Sequence, residues 1–133
     1  MNITIIGAAG FLGKSLFYYL NKNKKIKIKL IYIKERFIKS GIKNNYRNLK
    51  IEYVDNEDEK SIKKSIKNTD VLINFFSLTS PHSSMSSFYI KSINEVKINC
   101  LIYKDAKLTG TKKIIFFSSG GAIYGHKTKY PIS

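Results

Sequence analysis

Three glycines near the start of the chain, Gly7, Gly10 and Gly13, stand between a short β-branched run, Asn2-Ile-Thr-Ile-Ile6, and an apolar series, Leu12, Leu16, Tyr19 and Leu20. The series recurs at i, i+4, i+7 and i+8 and predicts a helix, while the run before it predicts a buried parallel strand. The chemistry of such a spacing is phosphate binding. A turn that leaves a strand and enters a helix in so few residues needs Gly7 for its backbone angles, and Gly10 where a missing side chain lets a phosphate reach the backbone. Gly13 lets the helix pack closely. The helix opens with N–H groups that have no helical partner and with the positive end of its dipole, and a pyrophosphate satisfies both. Residues 7–13 are therefore a predicted dinucleotide site.

Other candidate binding residues follow from where later strands end. In NAD-binding units an acid at the end of the second strand, about 20 residues past the glycine turn, accepts hydrogen bonds from the ribose diol. Here Lys34 occupies that position, followed by Glu35 and Arg36. A cation there favours a 2′-phosphate and hence NADP; a longer connection before the strand would instead let Glu35 take the acid's place, and hence NAD. Both readings stand. Asp55, with Asn56 beside it, follows the third predicted strand, where a carboxylate can accept from an adenine amino group; its alternative role is to cap the next helix, whose first turn holds Glu57, Asp58 and Glu59. Phe75-Phe76-Ser77 continues the fourth strand towards the same carboxyl edge, where ligands gather in open parallel sheets.

The elements that must position these residues alternate regularly. Strands are predicted over Asn2–Ile6, Ile28–Ile33, Asn48–Val54, Asp70–Asn74 and Lys112–Ser118, with the fourth apolar on both faces as at the centre of a parallel sheet. A long helix is predicted from about Ser84 to Leu108, with Tyr89, Ile93, Val96, Cys100 and Tyr103 along one face and Gly110 as its left-handed cap. The polar stretch from Arg36 to Asn48 predicts a loop or a short irregular helix. Five strands alternating with helices give an α/β fold, a doubly wound parallel sheet of Rossmann-like kind, and by analogy the strand order 3-2-1-4-5.

Bulk properties exclude several classes. The 133 residues suit one domain. The net charge of +15 comes from 24 lysines and arginines, but only Arg36 and Arg47 are arginine and the lysines are spread along the chain. Base readers and phosphate clamps lean on arginine forks, so no specific nucleic-acid partner is expected, only polyanion attraction at low salt. The single Cys100 excludes an internal disulfide and fits a reducing cytoplasm, and His82 and His126 have no metal-ligand spacing. No apolar run reaches about 18 residues and no secretory signal precedes the first strand, so a soluble, cytoplasmic protein without membrane contact is expected.

Taken together, Gly7-Ala-Ala-Gly-Phe-Leu-Gly13, Asp55, Asp70-Val-Leu-Ile-Asn-Phe-Phe-Ser77 and Ser118-Ser-Gly-Gly-Ala-Ile-Tyr-Gly125 resemble the extended short-chain dehydrogenase/reductases. Among these the chain is most similar to the NAD-dependent epimerase/dehydratases of nucleotide sugars, of the UDP-glucose 4-epimerase kind. The resemblance implies that Gly7, Gly10, Phe11, Leu12 and Gly13 cradle the pyrophosphate of NAD or NADP, that Asp55 meets the adenine, and that Phe75, Phe76 and Ser77 pass beneath the nicotinamide ribose. It places the family's cofactor-side Asn near Asn94, or at Asn99 after a helical slip. It aligns Ser119 with the serine that hydrogen-bonds the sugar hydroxyl being oxidised. In such enzymes a Tyr in a Tyr-x-x-x-Lys motif removes that hydroxyl's proton while hydride passes to the nicotinamide.

Two departures accompany the resemblance. The loop after the fifth strand has one residue more than the commoner pattern, so counting back from Tyr124-Gly125 puts Gly120 in the serine's place, whereas aligning from the strand favours Ser119. No Tyr-x-x-x-Lys follows that strand, because Thr128 stands where Tyr124 would need its lysine. The expectation is thus the N-terminal, cofactor-binding part of such an enzyme, truncated before the catalytic Tyr/Lys pair and the substrate domain and lacking turnover by itself. Related enzymes commonly dimerise through the counterpart of the long helix, which makes a homodimer a candidate. A non-catalytic NAD(P)-binding or scaffold module is the alternative.

Overall fold

The computed structural model describes residues 1–33, 42, 45–55, 58–78 and 85–118. These form β1 (Asn2–Ile6), α1 (Phe11–Leu20), β2 (Lys27–Ile33), β3 (Leu49–Val54), α2 (Glu59–Ile66), β4 (Val71–Asn74), α3 (Met85–Leu108) and β5 (Lys113–Phe116). All pairings are parallel and the strand order is β3-β2-β1-β4-β5, the doubly wound sheet expected from the alternation of elements.

Period-2 alternation distributes the strand side chains between two cores. On one face Ile3, Ile5, Ile28, Leu30 and Tyr32 pack against Phe17 of α1 and Ile42. On the other, Ile6, Ile31, Val54 and Leu72 pack against Ile62 and Ile66 of α2 and Ile98, Ile102 and Ala106 of α3. β1 lies between β2 and β4, and its Ile5 is fully buried. Polar groups at the opposite, amino edge of the sheet tie three strand starts together: Asp70 accepts from the Asn2 N–H at 2.8 Å and from Lys112 Nζ at 2.9 Å. The Asn2 N–H foremost, and then Lys112, hold the Asp70 carboxyl below the usual carboxylate range. Lys29 donates to the carbonyls of Ser65 and Lys67, closing the C-terminal end of α2 with a cation, and burial lowers its pKa.

Helix faces differ from the periodicity in two places. On α1 the inward direction is set by Gly13, so the buried face runs through Gly13, Leu16, Phe17 and Leu20, while Leu12 and Tyr19 are exposed. On α3 apolar residues lie all round the helix. Its inward face is Ile98, Ile102 and Ala106, and the stripe Tyr89, Ile93, Val96 and Cys100 faces outward. Two apolar stripes on one helix carry no information about which of them the sheet will cover. The end of α3 follows expectation: Gly110 has φ +79°, its N–H reaches the Lys107 carbonyl, and the Thr111 N–H reaches that of Ala106. This is a Schellman closure. On β5, which pairs with β4, Ile114 and Phe116 are exposed.

Candidate functional site

The turn from β1 into α1 is held by contacts that exclude side chains. Gly7 has φ +79°, and a Cβ on it would stand 2.7 Å from the Phe75 backbone carbonyl. A Cβ on Gly13 would stand 2.5 Å from the Ala8 Cα. Gly10 is different, because a Cβ there would meet only the Gly7 carbonyl at 3.6 Å, an ordinary contact, and would take up space at the mouth of the turn. Two glycines thus close the turn and the third keeps the space in front of it clear.

That space is a cleft of about 570 Å³ over the carboxyl ends of β1, β4 and β5. One side is formed by Gly7, Gly10 and the first turn of α1; the other by Phe75, Phe76, Ser77, Glu95 and Phe116 to Ser118. Gly10 is the N-cap and offers no side-chain acceptor, and no acidic residue lies in the first turn of α1. The first intrahelical bond runs from the Lys14 N–H to the Gly10 carbonyl at 3.0 Å, so the N–H groups of Phe11, Leu12 and Gly13 have no helical acceptor. With the dipole's positive end they form an anion site. The opposite wall is aromatic, with the Phe75 and Phe117 ring centroids 4.4 Å apart. The residues present fit a dinucleotide: a cleared backbone anion site flanked by an apolar wall able to cover a flat ring.

Of the other residues singled out from the sequence, the structure brings some to this cleft. Phe75, Phe76 and Ser77 line it. Asp55 is exposed beyond the end of β3 and lies outside the lining; its carbonyl accepts from the Asp58 N–H. Capping of α2 falls to Asp58, whose side chain accepts from the Lys60 N–H at 2.9 Å, and not to Asp55. Lys34, Asn56 and Ser119 lie outside the described residues. Asn94 is exposed on α3 and not among the cleft residues. The reason is helical geometry: the inward face defined by Ile98 and Ile102 continues backwards through position 95, and position 94 is turned about 100° away from it.

Position 95 is the residue that sequence reasoning passed over. Glu95 Oε2 accepts from Ser77 Oγ at 3.0 Å and from the Leu78 N–H at 2.7 Å, binding α3 to the segment after β4. The available signal was an acid in register with Ile98 and Ile102, since a charge on an apolar face is rarely accidental. Next to it, fully buried Asn74 orders the end of β4. Its Nδ2 donates to Asn99 Oδ1 at 2.7 Å and to the Tyr103 hydroxyl at 2.9 Å, while its Oδ1 accepts from the Phe76 N–H. Asn99 thus serves the strand end. Tyr103 and Lys107 match Tyr-x-x-x-Lys in letters, but burial pushes the Tyr103 phenol up, with the Asn74 hydrogen bond opposing. A general base needs the opposite shift, so this tyrosine is a structural acceptor.

Among the described residues no group of His, Cys, Asp or Glu could hold a metal ion, and no helix is long and apolar enough to cross a membrane. No curated protein matches the sequence. Solved structures do. A UDP-glucose 4-epimerase with UDP-glucose from Thermotoga maritima is 24% identical with a TM-score of 0.79, over 97% of this chain and 41% of that one. A UDP-N-acetylglucosamine 4-epimerase from Methanobrevibacter ruminantium M1, in complex with UDP-N-acetylmuramic acid, is 24% identical with a TM-score of 0.78, over 99% and 42%. A mutant uronate dehydrogenase from Agrobacterium tumefaciens complexed with NAD is 18% identical with a TM-score of 0.66, over 89% and 40%. The likeness is one of fold, and the chain spans about two fifths of the length of each of these proteins. The 3-beta hydroxysteroid dehydrogenase/isomerase family model matches residues 4–133, nearly the whole chain, in keeping with the resemblance to extended short-chain dehydrogenase/reductases, and the chain belongs to that family.

Proposed function

We propose that this chain is the NAD(P)-binding part of an oxidoreductase that acts on a nucleotide sugar, with UDP-hexose 4-epimerisation as the reaction of the whole protein. The observation that carries the reading is the cleft over Gly7–Gly13, where the three bare N–H groups of α1 meet space that Gly10 leaves clear. In this reading the N–H groups of Phe11, Leu12 and Gly13 hold the pyrophosphate, Asp55 and Asn56 lie towards the adenine, and Phe75 to Ser77 support the nicotinamide ribose. Lys34 selects between NADP and NAD by its charge. Bound NAD(P) supplies the hydride acceptor. Ser119 hydrogen-bonds the substrate hydroxyl. The nucleotide-sugar class is supported by the Ser118-Ser-Gly-Gly-Ala-Ile-Tyr-Gly125 motif and by the two epimerases that share the fold. The 133-residue chain is itself inactive in this reading, because residues 119–133 contain no Tyr-x-x-x-Lys. A homodimer is supported by the outward apolar stripe Tyr89, Ile93 and Val96 on α3.

Calorimetric titration of the 133-residue protein with NAD⁺ and NADP⁺ tests the reading. Saturable binding of at least one is expected, abolished by Gly10→Asp, which places a carboxylate in front of the α1 N-terminus. Absence of binding by both nucleotides would refute it. Lys34→Asp should move preference from NADP towards NAD, and the protein should not interconvert UDP-glucose and UDP-galactose at enzymatic rates. Concentration-dependent sedimentation checks the dimer.

A further inference from the structure

The described lining of the cleft differs in charge from the chain as a whole. Of 133 residues, 24 are Lys or Arg and nine are Asp or Glu, yet Glu95 is the one ionisable side chain among the described residues that line it. Neither lysine nor arginine takes part in the described lining. The carboxylate is fixed, with Ser77 Oγ and the Leu78 N–H converging on Oε2. It also sits on a boundary: Glu95 and Phe116 line both the dinucleotide cleft and a neighbouring groove of about 330 Å³ between α3 and β5, with Val96, Asn99 and Tyr103. Glu95 therefore stands at the β4–β5 end of the cleft, the end away from β2 and β3.

We infer that Glu95 sets the redox preference of the site by stabilising the oxidised, cationic nicotinamide over its neutral reduced form. This rests on the proposed function, in which the pyrophosphate lies over the glycine turn, the adenosine half over β2 and β3, and the nicotinamide half over β4 and β5. The two forms differ by one positive charge at the ring and are otherwise nearly the same shape, so a fixed carboxylate at that end of the cleft distinguishes them by Coulomb energy where packing cannot. The surrounding net charge of +15 disfavours a cationic ring, and Glu95 opposes that field locally. Favouring the oxidised form lowers the potential of the bound pair, which assists the return of hydride to a keto-sugar and opposes its withdrawal.

The test compares dissociation constants for the oxidised and reduced nucleotides, by calorimetry and by the fluorescence of the reduced form. Glu95→Gln keeps the size of the side chain and an acceptor for Leu78 but removes the charge; the ratio of oxidised to reduced dissociation constants should rise by about 3- to 10-fold. Glu95→Asp keeps the charge and loses reach, so both affinities should fall together with the ratio within about twofold of the wild type. A role confined to holding the 77–78 backbone would move both forms equally in both variants, and an unchanged ratio in Glu95→Gln overturns the inference while leaving nucleotide binding intact. If the unsubstituted protein binds neither form, the parent reading falls and this inference with it.

Discussion

Phe17 and Phe116 are the same side chain at two ends of one small molecule, and they have opposite fates. Phe17 is fully buried between α1 and the β1–β2 side of the sheet, with the Tyr46 ring edge-on to it at 5.3 Å, whereas Phe116 on β5 is 56% exposed. The difference lies in what covers them. The β1–β2 region has α1, Ile42 and Tyr46 on its face, while among the described residues β5 is the last strand of the sheet and Tyr103 is the ring that meets Phe116, edge-on at 6.2 Å. Hydrophobicity supplies the same transfer free energy to both residues, but only one of them has realised it. Among the described residues Phe17 therefore contributes its full burial to folding, and Phe116 contributes little.

Substitutions can break that comparison or sharpen it. Phe17→Ala should cost about 3–5 kcal/mol in urea denaturation, enough to unfold a marginal domain. Gly13→Ala should cost about 1–3 kcal/mol, because its Cβ would meet the Ala8 backbone at 2.5 Å and the turn must shift, with nucleotide affinity falling in parallel. Tyr103→Phe removes an acceptor of the buried Asn74 amide and should cost about 1 kcal/mol. The raised pKa of Tyr103 gives that site a pH signature of known sign. The folded state holds the phenolic proton more tightly than the unfolded chain, so its contribution is complete below the unfolded value and is lost as pH rises through the folded one. The melting temperature should therefore fall less steeply above pH about 10 in Tyr103→Phe than in the unsubstituted protein. Phe116→Ser should change stability by no more than about 0.5 kcal/mol and improve solubility. A loss at Phe116 comparable to that at Phe17 would break the comparison, since it would require a cover on β5 that the described residues do not provide.

Acid gives the smallest effect. The Asp70 carboxyl, held below its ordinary range by the Asn2 N–H and Lys112, adds stability that is present above the unfolded carboxylate pKa and is lost as pH falls through the folded value. Asp70→Asn should flatten the acid limb of the melting curve without altering the neutral plateau greatly, because its ion pair is with an exposed lysine and is screened.

The glycine turn and the alternation of strands and helices could be read from residues alone because each follows from a local rule, whereas the strand order came by analogy with dinucleotide folds. Gly7, Gly10 and Gly13 between a strand and a helix admit few backbone solutions, the apolar runs at Asn2–Ile6 and Val71–Asn74 can be buried only inside a sheet, and Gly110 ends α3 with the left-handed angle that glycine favours. The choice between faces was not local. Both stripes of α3 are apolar, and only docking against Ile6, Ile31 and Leu72 decides that Ile98 and Ile102 turn inward. That same rotation sends Asn94 to solvent and brings Glu95 onto Ser77 and Leu78, since neighbouring helical positions lie about 100° apart. The sequence by itself thus determined the turn, the parallel sheet and the family; the tertiary structure decided which charged residue stands in the cleft, because a helix with two apolar sides has its orientation chosen by the sheet it packs on.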